Sequence, residues 1–163
     1  MASPNHVSET PATAWLRARD TAFTEHVYDY VEHGGTAVSA QALGVAEHQV
    51  VRTLVMQDQN ARPLLVLMHG DRKVSTKNLA RQISRKKIEP CEPDAAQRHT
   101  RYQVGGTSPF GTRKLMPIYV ERSVLRLDRI CINGGRRGYL VGIDAAVLVR
   151  PLGAIAVDCA IVE

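Results

Sequence analysis

Arg52 is the residue whose position most needs an explanation. It lies in VVRTLVM (50–56), a β-branched run that reads as a strand. Alternation puts Val50, Arg52, Leu54 and Met56 on one face and Val51, Thr53 and Val55 on the other. Both faces are otherwise mainly apolar, so the strand belongs in the middle of its sheet. A guanidinium there is costly to desolvate unless an anion or several acceptors meet it. Two readings stand. Arg52 is structural, at an edge or paired with a carboxylate such as Asp29 or Glu32, or it is a cation held for a ligand's phosphate, carboxylate or ester oxygen.

Two glycine-rich stretches are the other candidates: GGTSPFGTRK (105–114) and GGRRG (134–138). Neither has the spacing of a phosphate loop or of a dinucleotide fingerprint. Glycine does allow a close approach of backbone to ligand, with N–H groups aimed at an anion or a carbonyl oxygen. Ser108 can add a hydroxyl and Pro109 can stiffen the bend. Both stretches lie beside arginines, Arg136 and Arg137 in the second case. A pair of plain turns is the simpler reading, and one shared site is the other.

Conventional catalytic sets are missing from the sequence. The histidines at 6, 26, 33, 48, 69 and 99 form no HExxH spacing, and no GxSxG occurs. Cys91, Cys131 and Cys159 are odd in number and far apart, which argues against a disulfide framework and a structural zinc site and suits a reducing cytoplasm. No metal or cofactor is expected. An enzyme built this way would draw its rate mostly from positioning and backbone donors.

Charge is unevenly spread. Residues 1–70 hold 4 basic and 7 acidic side chains, a net of −3, whereas residues 71–163 hold 17 and 9, a net of +8. Arg72, Lys73, Lys77 and Arg81 open a basic segment that runs to Lys87. It is either a solvated helix face or the footprint of a polyanion. Aromatics make up only 5%, which disfavours base stacking along a single strand. No run of 18 apolar residues suggests a membrane span, and the polar start has no h-region of a secretory signal.

The elements that must hold these residues can be read in order. Thr10 and Pro11 open a short helix over 11–19. A strand over 23–30 follows, then a helix capped by Thr36 and stopped at Gly44. Strands at 50–56 and 63–68 form a hairpin across a polar turn. Ser75 or Thr76 caps a helix with Leu79, Ala80 and Ile83 inward. Pro93 starts another, to Gln97. Strands at 116–120, 129–133 and 139–143 follow, with 134–138 as a turn, then a helix capped by Asp144 over 145–152 and a strand at 154–158. The pattern predicts one α+β (mixed α/β) domain, a curled mixed sheet with peripheral helices. Residues 1–10 read as an extension and 11–163 as the domain.

VVRTLVM, VSTKNLARQI (74–83), YQVGGTSPFG (102–111) and INGGRRG (132–138), in this order, resemble the YbaK/EbsC family, homologous to the editing domain inserted in bacterial prolyl-tRNA synthetases. The resemblance covers nearly the whole chain. It implies the mixed barrel-like fold and hydrolysis in trans of the ester joining a wrong amino acid to tRNA, with cysteine on tRNA for proline as the first substrate and alanine or another small residue as the alternative. Arg52 matches a family lysine in a KTL motif. Gly105, Gly106, Ser108, Pro109 and Gly111 match the first glycine loop, and Gly134, Gly135, Arg137 and Gly138 the second. Tyr28 matches a pocket aromatic. Arg52, Gly105 and Gly106 are thereby implied as catalytic, Tyr28, Thr107, Ser108, Pro109, Gly134, Gly135, Arg137 and Gly138 as substrate-binding, and Arg72, Lys73, Lys77 and Arg81 as receiving the acceptor stem. Implied partners are mischarged tRNA and prolyl-tRNA synthetase, for a cytoplasmic monomer or homodimer. A non-catalytic tRNA- or nucleotide-binding module, and an adaptor docking on a synthetase, are the competing classes.

Overall fold

Helix α1 (Pro11–Ala18) begins as the sequence requires: the Thr10 hydroxyl accepts from Thr13 N–H at 3.1 Å, and Thr13 Oγ1 accepts in return from Thr10 N–H at 2.9 Å. The computed structural model describes residues 9–161. The expected N-terminal extension lies outside these up to residue 8. Thr10 already belongs to the packed body, donating to Gly134 O at 2.6 Å.

After the short strand β1 (Thr24–Val27) comes α2 (Gly35–Leu43), closed by Gly44 in the left-handed region. Its N-cap is Gly34, not Thr36; the Thr36 hydroxyl instead donates to Glu47 Oε2 at 2.7 Å. The hairpin forms as expected, β2 (Val50–Asp58) with β3 (Pro63–His69). The Asp58 carboxylate organises its turn by accepting from the N–H groups of Asn60 and Arg62 at 2.8 and 3.0 Å.

A two-residue strand β4 (Lys73–Val74) precedes α3 (Thr76–Gln82), capped by the Ser75 hydroxyl. Strand β5 (Ile88–Pro90), which the pattern did not reveal, leads into α4 (Pro93–Thr100). Strands β6 (Ile118–Glu121), β7 (Arg129–Arg136) and β8 (Tyr139–Asp144) complete most of the sheet. β7 runs through Gly134 and Gly135, so the reversal is confined to Arg137 and Gly138. Asp144 does serve as a cap, but of a 3-10 turn over Ala145–Leu148. Short strands β9 (Ile155–Val157) and β10 (Ala160–Ile161) end the described chain.

The sheet is mixed, in the order β1-β8-β7-β2-β3-β6-β9, with β5 attached to β2 and a separate β4–β10 ribbon. Strand β2 is central, as its two apolar faces demand. β3 is buried throughout and splits the core: Leu67 packs with Ala12, Leu16 and Ile132 on one side, while Leu64, Val66 and Met68 pack with Leu79 and Ala80 on the other. No helix among the described residues is long and apolar enough to cross a membrane.

Candidate active site

The pairing of β2 is what opens a site. On one edge it pairs with β3 from Val51 to Gln57. On the other it pairs with β7 only at Val50 and Val51, and with β5 only from Met56 to Asp58. Arg52, Thr53 and Leu54 therefore have no strand on that side. Val50 O accepts from Gly70 N–H toward β3, and Val55 O accepts from Cys91 N–H away from it. Antiparallel alternation then turns the Thr53 N–H and C=O into the gap. Above the gap lies a cleft of about 670 Å³, walled by α2, the start of α4, Tyr28, Tyr30, Val104, Gly105, Thr107, Asn133 and Arg137.

Arg52 lines this cleft, half-buried. One guanidinium nitrogen donates to Arg72 O. Its Nε is buried with no acceptor among the described residues, as is Thr53 Oγ1. Neither Asp29 nor Glu32 forms an ion pair with it among the described residues. Burial pulls the guanidinium below its ordinary value, and the charge of Glu47 partly opposes that. An arginine stays protonated regardless. Arg52 is thus a cation facing a cleft with hydrogen-bonding capacity to spare.

The two glycine stretches meet beside it. Gly105 has φ +86, and a side chain there would collide with the Tyr30 hydroxyl. A Cβ on Gly106 would lie 2.9 Å from the carbonyl carbon of Arg136 and the nitrogen of Arg137, so only glycine lets the two turns touch. The N–H of Gly106 is spent on Gln103 O at 2.9 Å. Those of Gly105 and Thr107 have no partner among the described residues, and both residues line the cleft.

Ser108 and Pro109 are buried behind the wall, the Ser108 hydroxyl accepting from Phe110 N–H at 3.2 Å. Gly134, Gly135 and Gly138 pack against Tyr139, Thr10 and the Tyr28 carbonyl respectively, and none lines the cleft. Arg137 does: it donates from Nε to Val104 O at 2.8 Å and lies 5.0 Å above the Tyr30 ring. Tyr28 also lines it, with burial first and the neighbouring Tyr30 second holding its phenol above the usual range. Arg72, Lys73, Lys77 and Arg81 are exposed and lie outside the cleft lining.

Sequence reasoning missed Tyr30 and Asn133. The Asn133 amide staples the site: Nδ2 donates to Gly105 O at 3.2 Å and Arg136 O at 3.1 Å, while Oδ1 accepts from the N–H groups of Gly135 and Arg136 at 2.7 and 3.1 Å. An asparagine directly before Gly-Gly is a turn-former's position, and that was the available signal. Asn133→Ala removes all four bonds. The expected result is a loss of about 1–2 kcal/mol in stability, read by thermal unfolding.

Other reactive groups are otherwise engaged. Cys91 lines the cleft, but burial first and Glu89 second push its thiol up, away from the nucleophilic thiolate. His48, His69 and Asp71 bring ligand-type atoms within 4.8 Å of one another. Both nitrogens of the buried His69 are already taken, Nδ1 by His48 O and Nε2 by Ser123 Oγ, each at 2.8 Å, and its ring stacks on His48 at 3.7 Å. The Ser123–His69 contact lies outside the cleft lining, so it is a packing network and not a nucleophile with its base.

This arrangement has relatives. The protein named "Putative Cys-tRNA(Pro)/Cys-tRNA(Cys) deacylase EbsC" of Enterococcus faecalis (strain ATCC 700802 / V583) is 26% identical over 139 residues, 85% of each chain. The solved structure of "hypothetical protein APE2540" superposes with a TM-score of 0.85 at 22% identity, covering 93% of this chain and 100% of that one. That of "a putative trans-editing enzyme for prolyl tRNA synthetase" does so at 0.81 and 20%, covering 99% and 100%. At those identities the two structures establish the fold. The model of the aminoacyl-tRNA editing domain matches residues 32–150, which hold Arg52, both glycine turns and every residue lining the cleft except Tyr28, Tyr30 and Val31, and the chain belongs to that family.

Proposed function

We propose that this protein is an aminoacyl-tRNA deacylase acting in trans on mischarged tRNA, with cysteinyl-tRNA for proline as its first substrate. The observation that carries the reading is the interrupted pairing of β2: Arg52, a cation with no ion pair among the described residues, lies at the gap and lines one cleft with Gly105 and Thr107, whose main-chain N–H groups have no partner among the described residues. The name of the enterococcal relative supports cysteine as the acyl group.

In this reading the terminal adenosine lies against the Gly105–Thr107 wall, with the rings of Tyr28 and Tyr30 within reach. Arg52 holds phosphate or an ester oxygen. The N–H groups of Gly105 and Thr107 receive the carbonyl oxygen as it gains negative charge, a role worth about a hundredfold or more in rate per donor. Gly106, whose N–H is engaged, contributes close approach instead. The attacker is water, which adds to the ester carbon. The bond to the ribose oxygen then breaks, and that oxygen takes the proton. A cysteinyl substrate has a second route: its own thiol sulfur bonds to the ester carbon, the ribose oxygen leaves with the thiol proton, and water opens the thiolactone. Neither route needs a protein nucleophile.

The test is a deacylation panel of cysteinyl-, alanyl- and seryl-tRNA for proline with purified protein. Loss of the cysteinyl ester with the seryl ester retained supports the thiol route. Loss of all three supports water. If all three remain intact while tRNA still binds, the protein is a binding module and the enzyme reading falls.

A further inference from the structure

The sequence points to the 71–87 segment as the landing place for RNA. Three of its seven cations are paired, and the other four, Lys73, Lys77, Arg81 and Lys86, lie outside the cleft lining. Arg72 pairs with Asp71 at 3.7 Å, Arg85 with Asp58 at 3.1 Å and Lys87 with Glu89 at 3.1 Å. Helix α3, which carries Lys77 and Arg81, contributes no residue to the cleft lining.

A second group of cations adjoins the cleft. Pro93 and Ala96 of α4 form part of its wall. At the other end of that helix are Arg98 and Arg101, both exposed. The segment bearing Arg113 and Lys114 is latched to the same place, with Arg113 N–H donating to Thr100 O at 3.3 Å and Lys114 N–H to His99 O at 2.9 Å. Arg101 N–H donates to Gln97 O at 2.8 Å. Main-chain donors thus satisfy three of the last four helix carbonyls, and the four cationic side chains are not needed as caps.

None of Arg98, Arg101, Arg113 and Lys114 forms an ion pair among the described residues; Asp94, one turn before Arg98, does not reach it. Their charges are felt locally: burial first, then Lys114 and Arg98, pull the His99 imidazole below its ordinary value. Crowding like charges on a small surface costs folding energy unless an anion meets them. From Arg101 the chain runs through Tyr102 and Gln103 to Val104, whose carbonyl takes Arg137 on the cleft wall. Arg101 is thus three residues along the chain from the cleft wall.

We propose that the double-helical RNA stem leading to the aminoacylated end lies on Arg98, Arg101, Arg113 and Lys114, and not on the 71–87 segment. This rests on the aminoacyl-tRNA reading above. The recognition is of phosphates, which an RNA duplex offers along its flank irrespective of sequence. Each phosphate contact adds about 0.7–0.9 to the slope of log affinity against log salt.

The experiment measures binding of an uncharged acceptor-stem hairpin at several salt concentrations, for the full chain and two multiple variants. For R98Q/R101Q/R113Q/K114Q the slope should fall by about 3 and affinity near 0.1 M salt by tenfold or more. For K73Q/K77Q/R81Q the slope should change by less than about 1. The pairs R98Q/R101Q and R113Q/K114Q should each give about half the larger effect. All replaced side chains are exposed, and unfolding curves verify that each variant folds. If the triple variant loses the slope and the quadruple variant keeps it, the proposal is overturned. Wild-type deacylation with an unchanged quadruple slope overturns the surface and leaves the enzyme reading standing. The expected loss of slope in the quadruple variant, with a wild-type protein that hydrolyses nothing, overturns the enzyme reading and retains the surface.

Discussion

Replacing Arg52 with methionine will lower deacylation by at least about a hundredfold while leaving the protein as stable as before, or more so by up to about 1 kcal/mol. The two halves of that expectation have one cause. The guanidinium is half-buried, its Nε has no acceptor among the described residues, and no carboxylate among them pairs with it. Until an anion meets it, it is a desolvated donor that folding does not reward. Methionine keeps the stem's packing and removes that cost. The one bond lost, to the carbonyl of the exposed Arg72, can be replaced by water. Transition-state charge has no such substitute. Initial rates on a cysteinyl-tRNA for proline and a thermal melt on the same sample settle both halves. A large drop in melting temperature would instead make Arg52 structural. Arg52→Lys separates charge from shape. An ammonium is a compact charge with three rotatable donors and lacks the planar fork that meets two acceptors in a fixed geometry. Retained turnover with the lysine shows that charge suffices; loss with both variants shows that the forked geometry is used.

The second large effect lies in the core. Glu121→Gln will destabilise the protein by about 3 kcal/mol, although the two side chains have the same shape. Oε1 accepts from the N–H groups of Cys159 and Ala160 at 2.8 and 3.1 Å, and Oε2 accepts from Ser123 N–H at 3.0 Å and from its hydroxyl at 2.5 Å. Every lone pair direction meets a donor. A carboxamide has one acceptor oxygen, so either orientation turns an NH2 group toward a buried N–H. Denaturant unfolding of wild type and variant measures the difference; a loss under about 1 kcal/mol would mean that the site relaxes around the amide.

The same carboxylate predicts how stability responds to acid. Burial tends to raise the Glu121 value, but the Ser123 hydroxyl and three main-chain donors outweigh it and hold it below the usual range. Asp58 is also held low: burial is again outweighed, here by the N–H groups of Arg62 and Asn60 and then the charges of Arg85 and Arg62. A depressed carboxylate binds protons less tightly folded than unfolded. Its contribution is therefore complete above the unfolded value, near 4, and is lost as pH falls through that range toward the folded value. Wild type should lose stability on acidification below about pH 5, and Glu121→Gln, lacking one such group, should lose it along a shallower slope.

Much of the site's scaffold was legible in the chain. Thr10-Pro11 specified a helix start because a capping hydroxyl and a preset φ act locally. The β2–β3 hairpin followed from β-branched runs around a polar turn, and the central place of β2 from its two apolar faces. Arg52 stood out because a cation in such a strand contradicts its surroundings, and contradictions of this kind collect at functional sites. Local chemistry also marked both glycine stretches as places of close approach.

Which glycines face a ligand and which face the core was not local information. It depends on the meeting of two turns 28 residues apart, as in the Asn133–Gly105 bond, and on which side each then presents. Ser108 reads as an available hydroxyl and is in fact sealed inside; Thr107 beside it lines the cleft. The cations behave likewise. Three cations of the 71–87 run are paired, with Asp71, Asp58 and Glu89, while the segments carrying Arg98, Arg101, Arg113 and Lys114 are brought together by main-chain hydrogen bonds. The sequence by itself determined the strand, the charge within it and the glycine-rich stretches, because those follow from neighbours along the chain. The gap in β2 was decided only by tertiary structure: β7 and β5 each pair with one end of that strand and leave the middle open, and a strand's length says nothing about where its partners stop.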